Sequence, residues 1–284
     1  MALRIALPAR RWQTAARKNT AARGSTAAGR LHPWRWAAAG MLIGLLLTCL
    51  IWAPARWLAG AVAWATQDKV QLSAAQGTVW NGSAWLVLSG GRQSRDATTL
   101  PSRLHWKLQP RWLGANMELH SSCCTTKPVQ ARLRWQPSGA RLHVDDSTLQ
   151  LPSSLLAGLG TPWNTLQPQG QLALQTRALA VQWAAGRMVL SGQAQLDARA
   201  MSSRLSTLRP MGSYRLVLQG GEVPTLALST LDGALQLSGS GQWVGNRLRF
   251  AGEASAAPER EAALSNLLNI IGRRNGARSI ITVG

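Results

Sequence analysis

His120, Cys123 and Cys124 form the tightest grouping of metal-binding or redox-active side chains in this 284-residue sequence. A structural zinc site would need four such ligands, and no second His/Cys pair completes the set, so no metal ligand is expected. The adjacent cysteines raise a different chemistry. On a strand, neighbours point to opposite faces, so bridging Cys123 and Cys124 requires a strained turn. The alternatives are two free thiols, one buried and one exposed, or a vicinal disulfide pinning a loop. Thr125, Thr126 and Pro128 follow at once, which favours the loop and, by a small margin, the disulfide. Cys49 lies in an apolar run and reads as a small hydrophobic residue.

Other reactive arrangements are incomplete. The histidines His32, His105, His120 and His143 are isolated from one another. His143 neighbours Asp145 and Asp146, a pattern that fits a solvated turn better than a catalytic dyad. Gly239-Ser240-Gly241 has no lysine after it, and no serine occupies a G-x-S-x-G elbow. Asn81-Gly82-Ser83 matches a glycosylation acceptor but also reads as a hairpin turn. The sequence therefore predicts no catalytic residue, no cofactor site and no enzyme.

The elements that would position anything else begin with Trp36–Ala55, twenty residues without a charge between Arg35 and Arg56. As a helix this stretch would span about 30 Å, a bilayer's hydrocarbon core. Its leucines and isoleucines point all round, and Trp34, Trp36, Trp52 and Trp57 flank it. It is expected to be a single transmembrane signal-anchor. Residues 1–35 carry eight cations (Arg4, Arg10, Arg11, Arg17, Lys18, Arg23, Arg30 and Arg35) and no acid, which predicts a disordered cytoplasmic tail and an exported remainder. Ala53-Pro54-Ala55 resembles a signal-peptidase site, but the long leader and bulky Trp52 favour an uncleaved anchor. The formal charge of +20 is partly this tail, and the other cations are spread through strand patterns, so nucleic acid is not an expected partner.

After the anchor, 56–69 reads as an interfacial helix and linker, with Trp57, Ala61 and Trp64 on one side. From Val70 the hydrophobic period changes to two. Strands are predicted at Arg103–Leu108, Arg132–Trp135, Arg141–Val144, Gln171–Thr176, Ala180–Trp183 and Arg187–Leu196. Others follow at Tyr214–Gln219, Thr225–Ser229, Ala234–Ser240 and Arg247–Glu253, with a last one at Ser279–Val283. Turn residues separate them, including Asn81-Gly82, Gly186 and Gly245-Asn246. The fold class is mainly β: a curved antiparallel sheet or roll over 70–284, with β-rich halves at 70–150 and 170–255. Val79, Trp85, Trp106, Trp135, Trp183 and Trp243 are the expected core. Pro152–Leu159 predicts a short mid-chain helix. Leu264, Leu267, Leu268 and Ile271 at helical spacing predict an amphipathic helix over 258–275, ending at Arg273 and Arg274.

Four strings carry a family resemblance: Gly77–Ala84 (GTVWNGSA), Gly160–Gly170 (GTPWNTLQPQG), Ser202–Pro210 with Gly212-Ser213-Tyr214, and Leu264–Gly272 (LSNLLNIIG). With the N-terminal anchor, they resemble the type II secretion system protein N family, also called general secretion pathway protein N. The resemblance runs from about Arg35 to the C-terminus. It implies a single-pass inner-membrane protein of Gram-negative bacteria with its C-terminal domain in the periplasm. Such a protein is an accessory of the machinery that exports folded proteins, touching other secretion components, and it brings no catalytic residues. Gly239-x-Gly241-x-Trp243 is also similar to exported lipid-handling proteins of the AsmA type. That likeness implies an alternative in which an apolar groove in the sheet holds lipid.

Overall fold

A computed structural model describes residues 33–184, 186–245 and 247–284. The tail expected over 1–35 thus lies almost wholly outside the described residues, as does Asn246 of the expected Gly245-Asn246 turn. Two compact units divide at Thr48/Cys49. Helix α1 (Pro33–Ile51) exposes Leu42, Ile43, Leu46, Leu50 and its other large apolar side chains. Its uncharged part, from Trp36, is about 24 Å long. Among the described residues, no helix is long and apolar enough to cross a membrane. The twenty-residue helix expected over Trp36–Ala55 stops early for a local reason. Pro54 disfavours helical backbone at Ala53 and has no N–H to give. Ala53 O instead accepts Val79 N at 2.8 Å, and Pro54 makes a bridge to Thr78.

Residues 49–284 are built on one open antiparallel sheet. The main path runs through β1 (Val70–Gly77), β2 (Asn81–Ser89), β4 (Leu104–Arg111), β5 (Gly114–Ser121), β6 (Val129–Gln136) and β7 (Gly139–Val144). It continues through β9 (Gln169–Ala184), β10 (Arg187–Ser202), β11 (Gly212–Gly221), β12 (Thr225–Gly233), β13 (Leu235–Val244) and β14 (Arg247–Ala256) to β16 (Arg278–Val283) and β15 (Arg273–Asn275). β3 (Ala97–Thr99) pairs with β2, and β8 (Ser147–Pro152) with β9. The hydrogen-bonded path crosses the expected mid-chain divide without a break, because β7 pairs directly with β9. The two strands expected at 171–176 and 180–183 are one strand, bulged at Ala178 (φ 47), whose N–H is held by Asp146 Oδ1 at 2.7 Å.

One face is covered by short elements. Helix α2 (Ala55–Ala65) lays Ala55 and Leu58 on Ala84, Trp106 and Leu72; Trp57 and Trp64 stay exposed. The mid-chain helix is a 3-10 helix over Ser153–Leu159, which puts Leu155 against Leu100, Cys124, Leu86 and Leu88. α3 (Trp163–Leu166) follows it. Helix α4 (Glu261–Ile271) buries Leu264, Leu267 and Leu268 in the largest core, with Leu172, Met201, Met211, Tyr214 and Leu235. Arg273 and Arg274 do not end this helix as expected; they begin β15. Gly272 permits the change, since a Cβ there would overlap the Ile280 carbonyl of the partner strand.

Two further expectations are corrected. The first hairpin turns at Thr78–Trp80, with Gly77 opposite Gly82, so Asn81-Gly82 begins β2 instead of forming the turn. A Cβ on Gly82 would stand 2.6 Å from the Trp106 ring and 2.7 Å from Gln76 O, so this glycine admits the indole. Of the six residues expected in the core, only Trp106 is buried; its Nε1 donates to Val79 O at 3.0 Å. Val79, Trp85 and Trp243 are half-buried, whereas Trp135 and Trp183 are exposed. Trp135, Trp183 and Trp243 share the Trp106 face, but none of the described elements covers it where they sit; Trp85 points to the other face, against Arg103.

One buried charge ties the middle strands. Asp197 on β10 is directly opposite Arg215 on β11 and accepts from its Nε at 2.8 Å and Nη2 at 2.9 Å; Gln195 Nε2 donates at 3.0 Å. These bonds, from Arg215 foremost, hold the Asp197 carboxyl below its ordinary value. A depressed pKa stabilises the fold above the unfolded value near pH 4, and the contribution fades as pH falls through the folded value. Asp197→Ala is expected to cost about 2 kcal/mol at pH 7 in urea unfolding, with the gap to the parent narrowing below about pH 4.

Candidate functional site

Two rows of facing side chains cross the covered side of the sheet. Leu172, Ala198 and Tyr214 are successive cross-strand partners on β9, β10 and β11. Leu174, Leu196, Leu216 and Leu228 form the parallel row, reaching β12. The cover does not fill the space above them. Leu156 of the 3-10 helix, Trp163 and Leu166 of α3, and Leu267 and Ile271 of α4 close over a cavity of about 330 Å³. That volume lies within the range of small-molecule pockets. Trp163 is 38% exposed, which puts an indole between the cavity and solvent.

The walls are almost wholly aliphatic, with few polar groups. Ser203 Oγ donates to Leu166 O at 2.7 Å and accepts from Leu205 N, so its capacity is used. Tyr214, the chain's one tyrosine, is buried, and its hydroxyl finds no partner among the described residues. It lies close to Gly212, where a Cβ would come within 2.8 Å of Oη. Burial pushes the phenol above its ordinary value, so it stays a neutral donor at any physiological pH. The arrangement suits an apolar chain.

The residues singled out for reactivity lie elsewhere. Cys123 and Cys124 are joined as a disulfide in the turn after β5. Cys124 is buried against Leu100 and Leu155, and Cys123 N donates to Ser102 Oγ at 3.1 Å. His120 Nδ1 is 2.9 Å from Thr125 Oγ1, within the same turn. Among the described residues no group of His, Cys, Asp and Glu could hold a metal ion. Asp145 binds Arg132 at 2.7 Å and lies 3.5 Å from His143 Nε2, while Asp146 serves the β9 bulge. Gly239 and Gly241 make room for the ring and backbone of Phe250 on β14.

Sequence reasoning missed the cavity as a place, although its parts were in view. Trp163 and Leu166 belong to Gly160–Gly170, Ser202 and Ser203 to Ser202–Pro210, and Leu267 and Ile271 to Leu264–Gly272. Three of the four strings that carried the resemblance thus meet at one cavity. The signal available was the alternation of Leu172, Leu174, Leu196, Leu216 and Leu228; what it lacked was the cover.

These features define an antiparallel β protein with one open sheet and a capped apolar cavity. The family model for type II secretion system (T2SS), protein N matches residues 68–281, and the chain belongs to that family. Searches of curated proteins and of solved structures give no match.

Two outcomes follow from this geometry. Tyr214→Phe is expected to raise stability by about 1 kcal/mol, read as a higher midpoint in urea, because it removes an unpaired buried hydroxyl. Alkylation of the denatured, unreduced chain should label Cys49 alone. Labelling of Cys123 and Cys124 would show free thiols.

Proposed function

We propose that this chain is a non-enzymatic accessory component of the type II secretion machinery, held in the inner membrane and acting through contacts with other secretion components. The family match over 68–281 carries the reading. It supports a component of a secretion system, whose task implies neighbours. Membrane attachment is supported by α1, whose leucines and isoleucines are exposed among the described residues. A short apolar helix is accommodated by local thinning of the bilayer and by flanking Trp34, Trp36 and Trp52 at the interfaces. The wholly cationic leader favours a cytoplasmic N-terminus and a periplasmic sheet.

The cavity supports a second reading, that of an AsmA-like lipid handler. Its aliphatic walls match an acyl chain. On that reading the protein moves or senses lipid, and secretion is affected indirectly.

A reporter active only outside the cytoplasm should work when fused after Thr66 and fail when fused before Arg35. Deleting the gene should lower export of folded substrates while leaving the outer-membrane barrier intact. Stoichiometric phospholipid or lipopolysaccharide in mass spectra of the gently purified chain, together with normal secretion and detergent sensitivity in the deletion strain, would replace the first reading with the second.

A further inference from the structure

Six short turns of the sheet fall at one end. The connections 78–80, 112–113, 137–138 and 222–224, with those at Gly186 and Gly245, all join strands there, whereas Ala234 and the turn at 276–277 lie at the other end with the longer connections. The chain also enters the sheet unit at the turn end, where Ala53 and Pro54 meet Thr78 and Val79.

This end holds most of the sheet's exposed large apolar side chains. Trp112 is 98% exposed at the tip of the β4–β5 hairpin, beside Leu113 at 64%. Trp135 N donates to Leu113 O, and Trp135, Ala140, Trp183 and Met188 are then successive cross-strand partners. They form one apolar row along the rim of a face. Val223 and Val244 extend exposed apolar surface to the next two turns. The row is too long to be incidental scatter of single hydrophobics.

Charge at the rim is one-sided. Arg111, Arg134, Arg187 and Arg247 are exposed at the strand ends, against the acid Glu222, and none of these cations forms an ion pair among the described residues. Indoles and aliphatic tips interleaved with arginines suit the boundary between acyl chains and anionic headgroups, where guanidinium groups reach phosphate and rings lie at headgroup depth. A protein partner would be met by the same apolar residues, but the arginine excess and the attachment point beside Ala53 favour a lipid surface.

We infer that the turn end of the sheet, led by Trp112, Leu113, Trp135 and Trp183, rests on the anionic surface of the membrane in which the N-terminal helix is anchored. The inference rests on the anchor reading proposed above, and it fixes which end of the sheet faces the bilayer.

The test uses the full chain with Cys49→Ser, reconstituted in vesicles of phosphatidylglycerol and phosphatidylethanolamine that contain acyl-chain spin labels. A fluorophore is attached at Leu113→Cys, or at Leu231→Cys as a control on the exposed opposite end. The probe at 113 is expected to be quenched at least several-fold more than the probe at 231, with the contrast lost in neutral phosphatidylcholine vesicles. Equal quenching, stronger quenching at 231, or a contrast undiminished in neutral vesicles would overturn the inference. A rim covered by a protein partner would leave the 113 probe unquenched in vesicles holding this chain alone, and that result too would overturn it. Failure of the anchor reading is seen separately, as release of the chain from vesicles by alkaline carbonate.

Discussion

A sheet of sixteen strands that never closes has to cover one face from within its own chain. Each strand that adds alternating leucines adds apolar area that water would otherwise wet, and burial of that area is the main force available. The cover here is thin: α2 over the first strands, a 3-10 helix and α3 in the middle, α4 at the end. Between these pieces the fit is incomplete, and the cavity is the remainder. The same shortage of cover explains why Trp135 and Trp183 stay exposed, since no described helix packs on the turn end of their strands.

The opposite face depends on polar ties. Asp197 with Arg215 and Gln195, and Asp146 at the Ala178 bulge, fix register where no packed layer could. A slip of one residue would turn every leucine of the covered face outward, so these ties also protect the cavity wall. The cavity wall and the polar ties therefore draw on the same strands, β9 to β11.

Much of this was legible in the residues. Alternation located nine interior strands closely, reading β9 as two, and Leu264, Leu267, Leu268 and Ile271 announced α4 by spacing alone. β5 and β8 escaped because Gly114–Ser121 and Ser147–Pro152 alternate weakly or end in proline. Asn81-Gly82 misled because glycine has two uses, and here the close approach of Trp106 decides against the turn. Five of the six core candidates failed for a different reason: period reports which residues share a face, while cover depends on elements far along the chain. The cavity was invisible for the same cause, since Trp163, Tyr214 and Leu267 come together only when the sheet is built.

The order of strands has a consequence for assembly. Apart from the pairings β7–β9, β8–β9 and β14–β16, neighbouring strands of the sheet are close in sequence. Such local pairing closes short loops and nucleates quickly, so hairpins can form one after another as the chain is delivered from its N-terminus. Helix α4 arrives near the end of that process, and it carries Leu267 and Ile271. The cavity is thus the last part of the molecule to be roofed. Until α4 docks, the leucine floor lacks the part of its roof that Leu267 and Ile271 supply.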